Sequence, residues 1–181
     1  MRPSTPITAA LCLLAALALP APAVAATGTA SITGGSLSMA EPAAVGFSAT
    51  LNGTDQTAST ALSFDVLDQT GSGAGWNITA TSTTFTSGAN ALPATATTIP
   101  SPPTPACDAA ATCAPAVTSV SYPYTLPAGS TPPTATKLYN AMSSTGLGNQ
   151  TAAATLRLAI PATTRAGTYT STWIYSLVSG P

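Results

Sequence analysis

Short runs in which apolar side chains recur at every second position dominate this chain, with turn residues between them. Leu62, Phe64 and Val66 alternate with polar neighbours, as do Trp76, Ile78 and Ala80, and Leu156, Leu158 and Ile160. Val45 to Leu51 alternates too, and Asn52-Gly53 follows it as a hairpin signal. Tyr169, Trp173, Tyr175 and Leu177 face one way in the last run. A period of two suits strands with one buried face. Asp68-Gln69-Thr70-Gly71 and Arg165-Ala166-Gly167 supply turns between runs. Further strands are expected over Ser36–Met39 and Val117–Leu126. A helical spacing occurs at Lys137–Met142, where Leu138 and Met142 stand at i and i+4, and a short helix is expected there. The pattern as a whole predicts an all-β fold, an antiparallel, Ig-like β-sandwich.

The first residues read as an export signal. Met1 and Arg2 precede an apolar run from Ala9 to Leu19, and Ala23-Val24-Ala25 offers a small-x-small cleavage site. That run is well short of the ~20 residues that cross a bilayer. Cleavage is expected after Ala25, removing Cys12 and leaving 26–181 as one domain. No later stretch is apolar and long enough to be read as a membrane span.

Charge is scarce, at 5% of residues, and histidine is absent. After export the cations are Lys137, Arg157 and Arg165, against Glu41, Asp55, Asp65, Asp68 and Asp108. No basic patch answers the phosphates of nucleic acid. A general acid or base poised near neutral pH has no evident carrier. Recognition of a neutral polymer needs only aromatic faces and hydroxyls, and this chain is rich in Thr and Ser. The expectation is a binding or assembly protein rather than an enzyme, without cofactor or metal.

Cys107 and Cys113 are expected to pair, as an even, lone pair does in an exported chain. They lie in a Pro-, Thr- and Ala-dense stretch, 93–115, read as a long loop insertion pinned by that disulfide. Closing so short a ring is worth roughly 2.4 kcal/mol in the chain-entropy model. A zinc site has no histidine and no second cysteine pair to complete it.

Other patterns carry less. Asp65 and Asp68 would point to opposite faces of one strand, about 10 Å apart along it, so they make a poor catalytic pair. Gly71-Ser72-Gly73-Ala74-Gly75 precedes a strand rather than a helix and lacks the lysine of a phosphate loop. The two tryptophans stand out most, in Gly75-Trp76-Asn77-Ile78-Thr79 and Thr172-Trp173-Ile174-Tyr175-Ser176-Leu177. A large aromatic on an alternating strand serves either the core or an exposed contact, and the pattern leaves both open.

With those segments in view, the chain resembles the WxL-domain cell-surface proteins of Gram-positive bacteria, in an actinobacterial form. The resemblance runs from about Gly28 to Pro181. It is carried by Leu51-Asn52-Gly53-Thr54-Asp55-Gln56-Thr57, by Asp68 to Thr79 with Trp76, and by Ala166 to Pro181 with Trp173. Ile78 and Tyr175 stand where that family has leucine. The resemblance implies a secreted, extracellular protein held non-covalently on the cell wall by peptidoglycan or another wall glycan, beside other surface proteins. It implies Trp76, Asn77, Ile78, Trp173 and Tyr175 as contact residues. The alternative is a structural surface subunit, pilin-like or coat-like, that assembles by strand exchange.

Overall fold

The computed structural model describes residues 27–40 and 42–181. The signal segment, Cys12 and cleavage after Ala25 fall outside the described residues. Two compact units divide the chain, Met1–Ile32 and Thr33–Pro181. Of the first, residues 27–32 are described and carry no regular secondary structure. Among its described residues the second holds twelve strands: β1 (Leu37–Met39), β2 (Gln56–Asp68), β3 (Trp76–Thr83), β4 (Thr86–Ser87), β5 (Asn90–Ala91), β6 (Thr97–Ile99), β7 (Thr104–Cys107), β8 (Tyr124–Thr125), β9 (Ala128–Gly129), β10 (Thr136–Ala141), β11 (Gly148–Ile160) and β12 (Trp173–Ser179). No helix is present among the described residues, and so none long and apolar enough to cross a membrane.

Two antiparallel sheets form a sandwich, as the alternation predicts. The larger has the order β1-β2-β11-β6-β8, with β7 also on β11. Its spine is the pair of 13-residue strands β2 and β11, in register from Asp68 opposite Gly148 to Gln56 opposite Ile160. The smaller sheet has the order β10-β3-β12, and β9 joins the end of β3 in parallel. Leu62, Phe64 and Val66 of β2 and Ala152, Ala154 and Leu156 of β11 share one core with Trp76, Ile78 and Ala80 of β3. The period-two pattern therefore decides which side chains face the opposing sheet.

The turn from β2 into β3 shows how local chemistry delivers the chain. Asp68 is buried, and its Oδ1 accepts from the Thr70 amide at 3.0 Å and from the Thr70 hydroxyl at 2.7 Å. Gly75 then adopts φ of 77° beneath the Ala141 carbonyl, a space a Cβ would overfill. Asp68 is a turn cap, on the face of β2 opposite Asp65.

Four expectations change. Lys137–Met142 is not a helix but lies in and just beyond β10, paired with β3 and bulged between Lys137 and Tyr139. Leu138 is buried while Met142 is 43% exposed, so the i, i+4 pair never shared a face. Val45–Leu51 makes no ladder. Pro42 lacks an amide to continue the pairing that ends where the Ala40 amide donates to the Asp65 carbonyl. Val45 and Phe47 instead pack on the core from the side, and Asn52 caps the turn by accepting from the Thr54 amide.

Residues 117–122 are also irregular. They lie on β10 through side chains: Asn140 Oδ1 accepts from the Ser119 amide, and the Tyr122 hydroxyl donates to the Leu138 carbonyl at 2.6 Å. The Pro-rich stretch 93–115 is more than a loop. It supplies β6 and β7, which pair with the later and earlier parts of β11. Cys107 and Cys113 are joined, with Cα atoms 5.5 Å apart. The ring they close docks on β11, where the Thr151 hydroxyl donates to Asp108 Oδ1 at 2.8 Å.

Candidate functional site

Strands β3 and β12 bring both tryptophans to one sheet. Their register sets Trp76 opposite Ser179 and Trp173 opposite Ser82. The two rings share a face but stand six positions apart along β3, about 20 Å at the usual rise. They do not form one small site.

Trp76 is core, at 0% exposure. Its indole Nε1 donates to the Gly146 carbonyl at 3.0 Å, and its ring meets Tyr139 edge-on at 5.7 Å. Gly146 lies so close to that ring that a Cβ there would collide with it. Ile78 is likewise buried at 0%. Both were expected as contact residues, and both present no surface to a ligand, because the inner face of β3 is closed by the opposing sheet. Asn77 points to the other face, half-buried, and its Nδ2 donates to the Gly180 carbonyl at 2.8 Å. That bond ties the end of β12 to β3.

Trp173 and Tyr175 are different. β12 forms the rim of its sheet, and both rings are only partly covered. Trp173 Nε1 donates to the Ser171 hydroxyl at 2.9 Å, which fixes the ring's tilt. A run of edge-on aromatics leads from the core to the surface. Phe64 meets Tyr175 at 5.5 Å, Tyr175 meets Trp173 at 6.4 Å, and Trp173 meets Phe85 at 6.2 Å. Such pairs hold each other's orientation and are each worth about 0.5–1.5 kcal/mol beyond buried area.

Phe85, Trp173 and Tyr175 of this run line a groove of about 750 Å³ between β12 and residues 39, 40 and 42–45. Tyr169, Thr170 and Ser171 form one end, and Met39 and Val45 line the opposite wall. The described lining residues carry no charge. The Tyr175 hydroxyl is turned inward, buried and without a hydrogen-bond partner among the described residues. Burial holds its pKa well above the usual tyrosine value.

Of the five expected contact residues, then, the structure gathers Trp173 and Tyr175, ties Asn77 into the sheet, and buries Trp76 and Ile78. Phe85, Met39 and Val45 belong to the groove and were not singled out. Phe85 had no signal: it lies past the end of β3 and off the parity of Trp76, Ile78 and Ala80. Tyr169 did have one, sharing the parity of Trp173. No cluster of three or more metal-ligating side chains occurs among the described residues. Comparisons with protein-family models, with curated proteins and with solved structures find no match to this chain.

Proposed function

We propose that this chain is a secreted protein that holds the bacterial cell wall non-covalently, by stacking a neutral stretch of peptidoglycan glycan in the groove along β12. One observation carries the reading: a Trp ring, held in place but left partly open, lines a groove whose described residues carry no charge and place hydroxyls at its end. An aromatic face offers a sugar ring its apolar side, and the exposed Thr170 offers a hydroxyl; those of Ser171 and Tyr169 already donate to the Thr83 and Arg165 carbonyls and keep acceptor capacity only. A cationic or anionic ligand finds no partner among the described lining residues. Within this reading the contact set narrows to Trp173, Tyr175 and Tyr169, and Trp76 serves the fold.

Co-sedimentation with purified peptidoglycan tests the proposal. The native chain is expected to pellet with it and to stay soluble without it. Trp173→Ala is expected to lose at least tenfold in affinity while still melting cooperatively, because this ring is only partly buried. Full binding by that variant, or no binding by the native chain, would refute the assignment.

A further inference from the structure

Strand β12 is bonded on one side only, to β3. The bonds at its two ends fix which backbone groups point away. The Thr83 amide donates to the Thr172 carbonyl, and the Gly180 amide donates to the Gly75 carbonyl. Ladder bonds in an antiparallel pair use every second residue. Thr172, Ile174, Ser176, Val178 and Gly180 therefore direct their amides and carbonyls to β3. Trp173, Tyr175, Leu177 and Ser179 direct theirs to the open edge, where no backbone partner meets them among the described residues.

Nothing on the strand guards that edge. Its sequence, Trp-Ile-Tyr-Ser-Leu-Val-Ser, has no charge, no proline and no glycine. Protected edges usually carry a charge, a proline or a bulge, or lie under a loop; here residues 39, 40 and 42–45 stand across the groove and make no backbone bond to β12. The outer face adds two exposed apolar side chains, Ile174 at 47% and Val178 at 51%, placed symmetrically about Ser176.

We infer that this edge pairs with β12 of a second copy of the chain, antiparallel, about a two-fold axis through Ser176. The strand's own sequence selects the occupant. With Ser176 at the axis, Tyr175 falls opposite Leu177 of the second copy, and Trp173 opposite Ser179. All four have outward amides and carbonyls, so each pair exchanges two bonds. On the outer face Ile174 falls opposite Val178, and the two exposed apolar side chains cover each other. A slip of one residue would set outward groups against inward ones and lose the ladder. A slip of two would set Ile174 or Val178 opposite serine. The closed two-fold arrangement leaves neither copy with this edge free. The second copy and the glycan would both use the open side of β12, where Trp173, Ile174 and Tyr175 line the groove; the test contains no wall material, so its outcome is read without the wall reading.

Sedimentation of the full chain over a wide concentration range supplies the test. The native protein is expected to pass from monomer to dimer. Ser176 is exposed and meets its own counterpart across a close, non-hydrogen-bonded pair. Ser176→Lys and Ser176→Glu are each expected to remain folded by circular dichroism and to weaken the dimer at least tenfold, as like charges face each other. An equimolar mixture of the two is expected to restore it. Mild oxidation of Ser176→Cys is expected to link two copies through the introduced thiols. In the native dimer the Tyr175 and Leu177 amides are expected to exchange hydrogen more slowly than in the monomer. A native chain that stays monomeric throughout overturns the inference. So does a dimer that is indifferent to both charge variants, or one in which those two amides exchange at the monomer rate.

Discussion

Trp76 and Trp173 sit on the same face of the same sheet, yet one is wholly buried and the other opens on a groove. The difference comes from what covers each ring. Trp76 faces the opposing sheet and is closed off by Gly146, 70 residues along the chain. Trp173 lies on the rim strand. Trp76→Ala is expected to destabilise by about 3–5 kcal/mol, since it leaves a large cavity and an unpaired carbonyl. Its thermal midpoint should fall steeply, and any loss of wall binding should track the loss of fold. Tyr175 carries the opposite expectation. Its buried hydroxyl has no partner among the described residues, a burden of about 1–3 kcal/mol for such a group. Tyr175→Phe keeps the ring contacts with Phe64 and Trp173 and removes only that oxygen. It should raise the thermal midpoint; a lowered midpoint would mean that the hydroxyl is satisfied in solution.

Among the elements, those with strict alternation were legible and those held by distant partners were not. β2, β3, β11 and β12 follow directly from Leu62-x-Phe64-x-Val66 and its counterparts, because one face of each must meet the opposing sheet. β10 was misread because Leu138 and Met142 also fit a helix over so short a span; only its pairing with β3 decides. Val45–Leu51 has a strand's pattern but no ladder, because Pro42 ends the pairing with β2 and the side chains alone hold it. β6 and β7 hide in a Pro-rich stretch, where composition suggests a loop and the unsatisfied side of β11 supplies the partner. The disulfide itself was legible from the lone pair of cysteines. Its ring rests on the first residues of β11 rather than crossing the core. Replacing both cysteines by alanine is expected to cost roughly 2.4 kcal/mol, with faster hydrogen exchange confined to β7 and the start of β11. Loss of protection across β3 and β12 as well would contradict that local role.

At the scale of the whole molecule, the fold class followed from sequence and the groove did not. The groove exists because the end of β1 and residues 42–45 lie beside a rim strand, a relation between residues about 130 positions apart in the chain. The packing also sets how stability responds to alkali. Burial pushes Tyr139 up to about 12 and raises Tyr122, Tyr124 and Tyr175 as well, all from an ordinary value of 10.0. The unfolded chain therefore releases these protons first as pH rises. Stability from this source is complete below about pH 10 and is lost as pH climbs through 12. Thermal midpoints should hold level from pH 8 to 9.5 and then drop, with the tyrosinate absorbance of these four residues appearing only as the fold is lost. A steady decline beginning near neutrality would show that other groups control the transition.

On the wall-binding proposal, Trp173 and not Trp76 touches the glycan. Iodide quenching of tryptophan fluorescence separates the two rings, because an ion reaches the half-open Trp173 and not the buried Trp76. Soluble peptidoglycan fragments should shield the quenchable component at saturation, and Trp173→Phe should abolish that component beforehand. A quenchable component that persists unchanged at saturating fragment, in a chain shown to bind it, would place the contact elsewhere on the molecule.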